Sequence, residues 1–374
     1  MYQILEEGKA KIGAYQADKI SKELPVFYNP VMKLNRDLSV LLLNALGKKD
    51  MQLADPLAGS GIRGIRFLLE LDKGIIKNLS LNDLSEDAAR NISQNLKLNK
   101  IKLDKRKIKL SNEDANLFLL NSTGFDYIDI DPFGTPAPFL DSAIKRISRE
   151  GILAVTATDT AALAGSSKEA CLRKYWAVPM RNELMHEVGI RILIRTVQLI
   201  GAAHEKALIP IFSYTDRHYY RIFFRCEKGR EKADEVITQH KFLLYNRKTM
   251  ERKLADGAVN PERNEDGWTY AGPIWTGQLW DLSLVRKMKK ICPPKNREMA
   301  DMLNILERES AKVIVGFYSM PEVLRISKSG VCPKIDVIIE RLEKKGFFSA
   351  RTVFGGDCVR TDALLENVIG ALRR

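Results

Sequence analysis

Residues 51–70 read MQLADPLAGSGIRGIRFLLE. A short apolar run ends in Asp-Pro, a glycine-rich turn follows, and helical apolar spacing starts at once. No other stretch restricts the fold as much. A strand that breaks into such a turn and restarts as a helix opens a βαβ unit, whose next strand lies parallel to the first. The rhythm then continues. Strands are expected at 51–55, 78–83, within 106–115, at 125–131 and at 151–160, with helices at 59–71, 85–98 and near 137–147. Residues 181–203 predict a long helix. Residues 206–227 predict an antiparallel hairpin around Thr215 and Asp216. The expected fold is therefore α/β: a Rossmann-like, mostly parallel sheet closed by an antiparallel hairpin.

Beyond about residue 240 the rhythm is lost. GWTYAGPIWTGQLW is Gly- and Trp-rich and reads as irregular. Residues 297–374 suggest helices followed by a hairpin at Gly355-Gly356, in the manner of a small winged-helix module. The chain of 374 residues thus divides into 1–240 and a smaller α+β part, 241–374.

Net charge is +13, which favours a polyanionic partner, nucleic acid first. Residues 97–109 hold seven Lys/Arg against one acid, and residues 286–297 hold six and no acid. Each run is a candidate phosphate contact or a solvated face. Five scattered cysteines without C-x-x-C argue against a disulfide framework and a cysteine zinc site. A reducing cytoplasm fits them. No signal-peptide core or membrane-length apolar run is seen. No membrane association and no obligate protein partner are expected.

Gly59, Gly61 and Gly64 match G-x-G-x-x-G, with Asp83 about twenty residues on, at the second strand's tip. A nicotinamide dinucleotide satisfies that pattern. S-adenosylmethionine satisfies it equally, with an amino-acid end over the glycine loop and a ribose for Asp83. Two features favour the latter. Asn112-Glu113-Asp114-Ala115, ending the third strand, puts a carboxylate where an adenine amine can be accepted. The fourth strand ends in IDIDPFG, residues 128–134, delivering Asp131, Pro132 and Phe133 to the same crevice. The amine on a nucleobase is conjugated and poorly nucleophilic. Asp131 can accept one N–H, align the lone pair and stabilise the charge that develops on nitrogen. The Pro132 carbonyl can accept the other N–H, and Phe133 can stack on the base. A dehydrogenase has no use for that set.

The chain resembles the tRNA (guanine-26) N2-dimethyltransferases. The resemblance rests on PVFYNPVMKLNRDLSVLLLNAL (25–46), GSGIRGIRFLLE (59–70), NDLSEDA (82–88), NEDA (112–115), IDIDPFGTPAPFLDSA (128–143), GILAVTATDTAALAG (151–165), CLRKY (171–175) and DRHYYRIF (216–223). Later it thins to GPIWTGQL (272–279) and RTD (360–362). It implies a class I S-adenosylmethionine-dependent methyltransferase domain with a tRNA-binding C-terminal domain. It implies methylation of guanine N2, once and then twice, leaving S-adenosylhomocysteine. By position it assigns Arg36, Arg63, Asp83, Asp114 and Ala115 to the cofactor. Arg36 and Arg63 would meet the methionine carboxylate. Asp131 becomes the catalytic acceptor, with Phe133 and Phe27 gripping the base and the N-terminal segment folding back as a lid. Some relatives carry four cysteines in the second domain. Residues 240–275 here have none, so no metal is expected.

Overall fold

The computed structural model describes residues 2–15, 28–104, 106–216, 218–257, 267–328, 330 and 332–373. The chain begins with a hairpin, β1 (Tyr2–Glu7) and β2 (Ala10–Tyr15), followed by α1 (Lys33–Leu46). The alternating region supplies β3 (Met51–Asp55), α2 (Ile62–Glu70), β4 (Ile76–Asn82), α3 (Glu86–Leu98), β5 (Ile108–Ser111), α4 (Ala115–Leu120), β6 (Phe125–Ile130), α5 (Ala137–Arg146) and β7 (Ile147–Ala157). After α6 (Thr160–Leu163), α7 (Lys168–Tyr175) and α8 (Met185–Ala202), the strands β8 (Lys206–Asp216) and β9 (Tyr219–Lys228) form the expected hairpin.

These strands make one seven-stranded sheet in the order β5-β4-β3-β6-β7-β9-β8. β5, β4, β3, β6 and β7 run parallel, and β9 pairs antiparallel with both β7 and β8. The order reverses between β3 and β6, so loops on either side of that point diverge and leave a crevice at the strand tips. Helices cover both faces, which is why the central strands read as continuous apolar runs. Leu53, Leu79, Leu81, Ile128 and Ile130 are fully buried.

Local chemistry sets the helix starts. The Ser85 hydroxyl caps α3 by accepting the Ala88 N–H. Asp114 caps α4 by accepting from Asn116 and Leu117. Gly64 lets α2 ride close over β4: a Cβ there would stand 2.4 Å from Leu81 Cδ2. Asn91, Asn95 and Asn99 recur at every fourth residue of the α3 region and read the backbone of the N-terminal hairpin. Asn95 Oδ1 accepts the Gly13 N–H at 2.8 Å, and Asn99 Oδ1 accepts that of Lys11 at 2.8 Å. The hairpin is thereby fastened beside the glycine loop.

The second part holds α9 (Arg230–Thr238), β10 (His240–Asn246), β11 (Arg252–Ala255), β12 (Trp268–Trp275), α10 (Leu282–Ile291) and α11 (Arg297–Glu309). It ends with β13 (Tyr318–Ser319), α12 (Met320–Ser327), α13 (Ile335–Lys344), β14 (Ser349–Thr352), β15 (Gly355–Thr361) and α14 (Leu365–Leu372). Two three-stranded antiparallel sheets result, β11-β10-β12 and β13-β15-β14.

Two expectations are corrected here. The stretch expected to be irregular contains the regular strand β12. Its Gly272, at φ 120°, sits in a bulge of β12 itself, where Gly272 and Pro273 together face the single β10 residue between Lys241 and Leu243. The last hairpin turns at Val353-Phe354, not at Gly355-Gly356, which open β15 and stay out of the left-handed region. That turn is held by side chains. Glu309 accepts the Val353 N–H at 3.0 Å and Thr352 accepts that of Phe354 at 3.3 Å.

Candidate active site

The crevice is built from five strand tips. Asn82, fully buried at the end of β4, laces three of them: its amide donates to the Pro56 and Glu113 carbonyls at 3.0 and 2.9 Å. Gly59 and Gly61 both adopt positive φ, 55° and 76°, so the loop turns tightly into α2. The Asp83 carboxylate lies against this loop. Oδ2 accepts the Gly59 N–H at 2.8 Å and Oδ1 accepts that of Ser85 at 2.9 Å. An ionised carboxylate has about four acceptor positions, so these contacts orient Asp83 and leave capacity for hydroxyl groups. Asp114 uses Oδ1 for its helix cap, and Ala115 is buried beside it.

Three observations suit this end of the crevice to an S-adenosylmethionine-like ligand. The buried Ser60 hydroxyl, between the two glycines, has no partner among the described residues. Leu84 and Leu117, next to the two carboxylate positions, are 71 % and 55 % exposed, an apolar surface suited to a flat ring. The Asp83 and Asp114 carboxylates at this end are acceptors of the kind that ribose hydroxyls and an adenine amine need.

The other end is a buried network of charge. At the tip of β6, Asp131 Oδ2 accepts a short hydrogen bond from Arg63 Nη2. Arg63 also donates to Asn35 Oδ1 at 2.9 Å and Ser39 Oγ at 3.1 Å, and its Nη1 stands 3.3 Å from Asp129. Asp129, fully buried, is clamped by Arg221 through both oxygens, at 2.8 and 2.7 Å, and accepts from Tyr127 at 2.5 Å. Burial pushes Asp129 up, but Arg221 and Arg63 outweigh it and hold the carboxyl below its usual range. Burial also drives Asp55, at the tip of β3, well above the usual carboxylate range; Arg63 only partly offsets it, and Asp129 and Asp131 push further. In the hydrogen-bonded series itself, the guanidinium groups of Arg63 and Arg221 face the carboxylates of Asp129 and Asp131. Asp131 is the member at the rim, its side chain 17 % exposed.

Phe133 projects from the same loop, 54 % exposed, whereas Pro132 is buried. The loop is pinned to the end of β7: the Gly134 N–H donates to Thr158 Oγ1 at 2.6 Å, and the Thr158 N–H to the Gly134 carbonyl at 2.9 Å. The adjacent Asp159 is occupied. It accepts from Tyr175 at 2.6 Å and from Lys174 at 3.1 Å.

Arg36 is turned to the N-terminal hairpin. Its fork grips Glu7 of the N-terminal hairpin at 2.7 and 2.5 Å, and it donates to the Asn29 carbonyl. The planar anion it holds here belongs to the chain itself. Burial raises Glu7, but Arg36 and Arg66 prevail and bring it down to about 2. Phe27 lies outside the described residues. Glu7, Asn35, Asn82, Asp129 and Arg221 were not singled out from sequence. For Asp129 and Arg221 a signal existed: a second acid two residues before Asp131, and an arginine inside an apolar strand. Neither can be buried without a partner.

A cleft of about 1010 Å³ lies away from this crevice, between the first hairpin's turn, α1 and the α10–α11 link. It is lined by both signs of charge, including Lys33, Asp37, Arg66, Glu70, Lys295 and Arg297. None of the glycine-loop or β6-tip residues borders it. Among the described residues no group of three or more His, Cys, Asp or Glu is placed to hold a metal ion, and no helix is long and apolar enough to cross a membrane.

The sheet order, its antiparallel closing hairpin and the glycine loop define a class I, Rossmann-like S-adenosylmethionine-dependent methyltransferase fold. Comparison with known proteins narrows the class. The family model for N2,N2-dimethylguanosine tRNA methyltransferases matches residues 5–373. A tRNA (guanine(26)-N(2)/guanine(27)-N(2))-dimethyltransferase of Aquifex aeolicus is 39 % identical, over 98 % of this chain and 95 % of its own length. A tRNA (guanine(26)-N(2))-dimethyltransferase of Methanocaldococcus jannaschii is 37 % identical over 99 % and 98 %. The solved structure of Trm1 from Pyrococcus horikoshii with S-adenosyl-L-methionine superposes with a TM-score of 0.87 at 36 % identity, covering all of both chains. The chain belongs to the N2,N2-dimethylguanosine tRNA methyltransferase family.

Proposed function

We propose that this protein methylates the exocyclic N2 amine of guanine 26 in tRNA, first to N2-methylguanosine and then to N2,N2-dimethylguanosine. S-adenosylmethionine supplies the electrophilic methyl group and leaves as S-adenosylhomocysteine. The observation that carries the reading is the Asp131–Arg63 pair at the tip of β6, beside an exposed Phe133.

The roles divide along the crevice. Gly59, Gly61, Asp83, Asp114 and Ala115 seat the cofactor, with Arg36 and Arg63 toward its methionine end. Asp131 accepts one N2–H through the oxygen that Arg63 does not hold. As the methyl transfers, positive charge grows on N2, and a fixed carboxylate stabilises it without reorganising. The Pro132 carbonyl takes the second N–H. Phe133 stacks on the guanine, and Phe27 from the N-terminal segment closes the other face. The proton released at each transfer leaves through Asp131 to water. Pro136 and Ala137, just downstream, offer small apolar surface for the first methyl while the second is added. Residues 241–374 engage the body of the tRNA. Their order α11-β13-α12-α13-β14-β15, with the sheet ordered first-third-second, is that of a winged helix and supports the assignment.

A time course on unmodified tRNA, with enzyme and cofactor in excess, tests the reading. Monomethylguanosine is expected to rise and then decline as dimethylguanosine accumulates, with the modified nucleoside mapping to position 26. A plateau of monomethyl product would exclude the second transfer, and methyl groups on another base would exclude the assignment altogether.

A further inference from the structure

One large exposed side chain, on the segment after α7, is used by none of the roles above. Trp176 follows the last residue of α7 and is 55 % exposed. Its backbone lies in the left-handed region, φ 50° and ψ 39°. That region disfavours any bulky side chain and suits glycine. Two unfavourable features therefore coincide at one residue: a large ring in water and a conformation that glycine would relieve.

The neighbourhood holds that geometry. The Trp176 N–H donates to the Leu172 carbonyl at 3.2 Å. From α8, Arg195 donates to the Trp176 carbonyl at 3.3 Å and Thr196 to the Tyr175 carbonyl at 3.4 Å. The segment is also tied to the catalytic loop. Tyr175 donates to Asp159, next to the Thr158 that bonds Gly134. Leu172, 41 % exposed, and the exposed Arg173 lie on the last turn of α7 before Trp176, and the exposed Arg181 follows five residues later. An exposed aromatic side chain next to arginines in sequence, on a segment tied to the loop that carries Asp131 and Phe133, matches what an unpaired base and its phosphate require.

We propose that Trp176, with Arg173 beside it, is a stacking platform for a second, unpaired nucleotide of the RNA substrate, positioned relative to the guanine at Asp131. This rests on the tRNA reading above. It adds a contact outside the reacting base, so its signature is in RNA affinity.

Equilibrium binding and steady-state kinetics on unmodified tRNA, for wild type, Trp176→Gly and Trp176→Phe, test it together with thermal melting. Glycine relaxes the backbone, so Trp176→Gly should melt at or above the wild-type temperature. Its Kd and KM for tRNA should nevertheless rise about tenfold, the order of one lost base–aromatic stack. Trp176→Phe should recover most of that loss. Added tRNA should quench the fluorescence present in wild type and missing from Trp176→Phe. Wild-type RNA affinity in a folded Trp176→Gly overturns the proposal, and so does an affinity loss that merely tracks a fall in melting temperature. Absence of tRNA binding by the wild type would instead overturn the functional reading.

Discussion

Two of the buried clusters of opposite charge among the described residues are built differently. One joins α8 to the C-terminal elements. Glu187 is bound by Arg360 at 3.0 Å, by Arg191 at 2.8 Å and by the Gly316 N–H at 3.0 Å. Arg360 also grips Glu309 at 2.8 Å, and Arg191 donates to the Trp275 and Gly277 carbonyls. All four side chains are at most 2 % exposed. The other is the Asp131–Arg63–Asp129–Arg221 series under the crevice. It has the same two-against-two balance, but its last carboxylate reaches the rim. The junction cluster is closed, and removing any member strands a partner in a dry interior. The site cluster is closed at Arg221 and open at Asp131, so a rigid interior positions a group that a substrate can reach. Pairing alone does not distinguish a structural ion cluster from a catalytic one. Where the series ends does.

The comparison can be pressed hardest at Arg360. Arg360→Met leaves Glu187 and Glu309 without their shared partner, and about 3–5 kcal/mol of stability should be lost. Denaturant unfolding measures it. A change below about 1 kcal/mol would mean that the junction is wetter than its burial shows.

Acid is the next probe. Burial raises Glu187, but Arg360 and Arg191 overcome it and bring the carboxyl to about 2. A depressed pKa means that the folded state favours the charged form. The stability this confers is fully present above the ordinary glutamate range and is lost as pH falls from about 4.5 toward 2, on the order of 3 kcal/mol. Glu7 is brought down to about 2 as well and acts in the same window. In Glu187→Gln the acid-dependent part of unfolding should shrink. An unchanged pH profile would remove Glu187 from it.

The smallest expected effect concerns phosphate contacts. In the run 286–297, Arg286 and Lys289 already pair with Glu307, whereas Lys287 and Lys290, which line an open groove on α10 together with Arg286, pair with no acid among the described residues. Neutralising Lys287 and Lys290 together should flatten the dependence of log K for tRNA on log salt by roughly one to two in slope. The same change at Arg286 and Lys289 should do less. Equal slopes would show that internal pairing does not decide which cations meet the RNA.

The contrast between the clusters also marks what was legible in the sequence. The parallel sheet and its closing hairpin were, because apolar runs, glycine turns and helix caps are local signals. The tip of β6 was legible as well: an acid, a proline and an aromatic ending a buried strand have few structural uses together. The partners of Asp131 were not. Arg63 lies 68 residues away in sequence, and Arg221 is 92 residues from the Asp129 it clamps. Only the sheet order brings β9 beside β7 and so delivers Arg221 beneath β6. The junction was less legible still, since Glu187 and Arg360 are separated by 173 residues and sit in unremarkable helical and strand patterns. The stretch read as irregular was misread for a related reason: Gly272 breaks the local pattern, and a bulge at Gly272-Pro273 lets the strand keep its pairing with β10.

The central claim is that Asp131, at the open end of its cluster, serves the reaction more than the fold. One variant with three readouts tests it. In Asp131→Ala, Arg63 keeps Asn35, Ser39 and Asp129 as partners, so the melting temperature should move by only a few degrees. Affinity for S-adenosylmethionine should change little. The single-turnover rate of methyl transfer to tRNA should fall about 10²–10³-fold, as when a contact made only in the transition state is removed. Transfer at the wild-type rate, or a loss of rate matched by a collapse in melting temperature, would contradict the account.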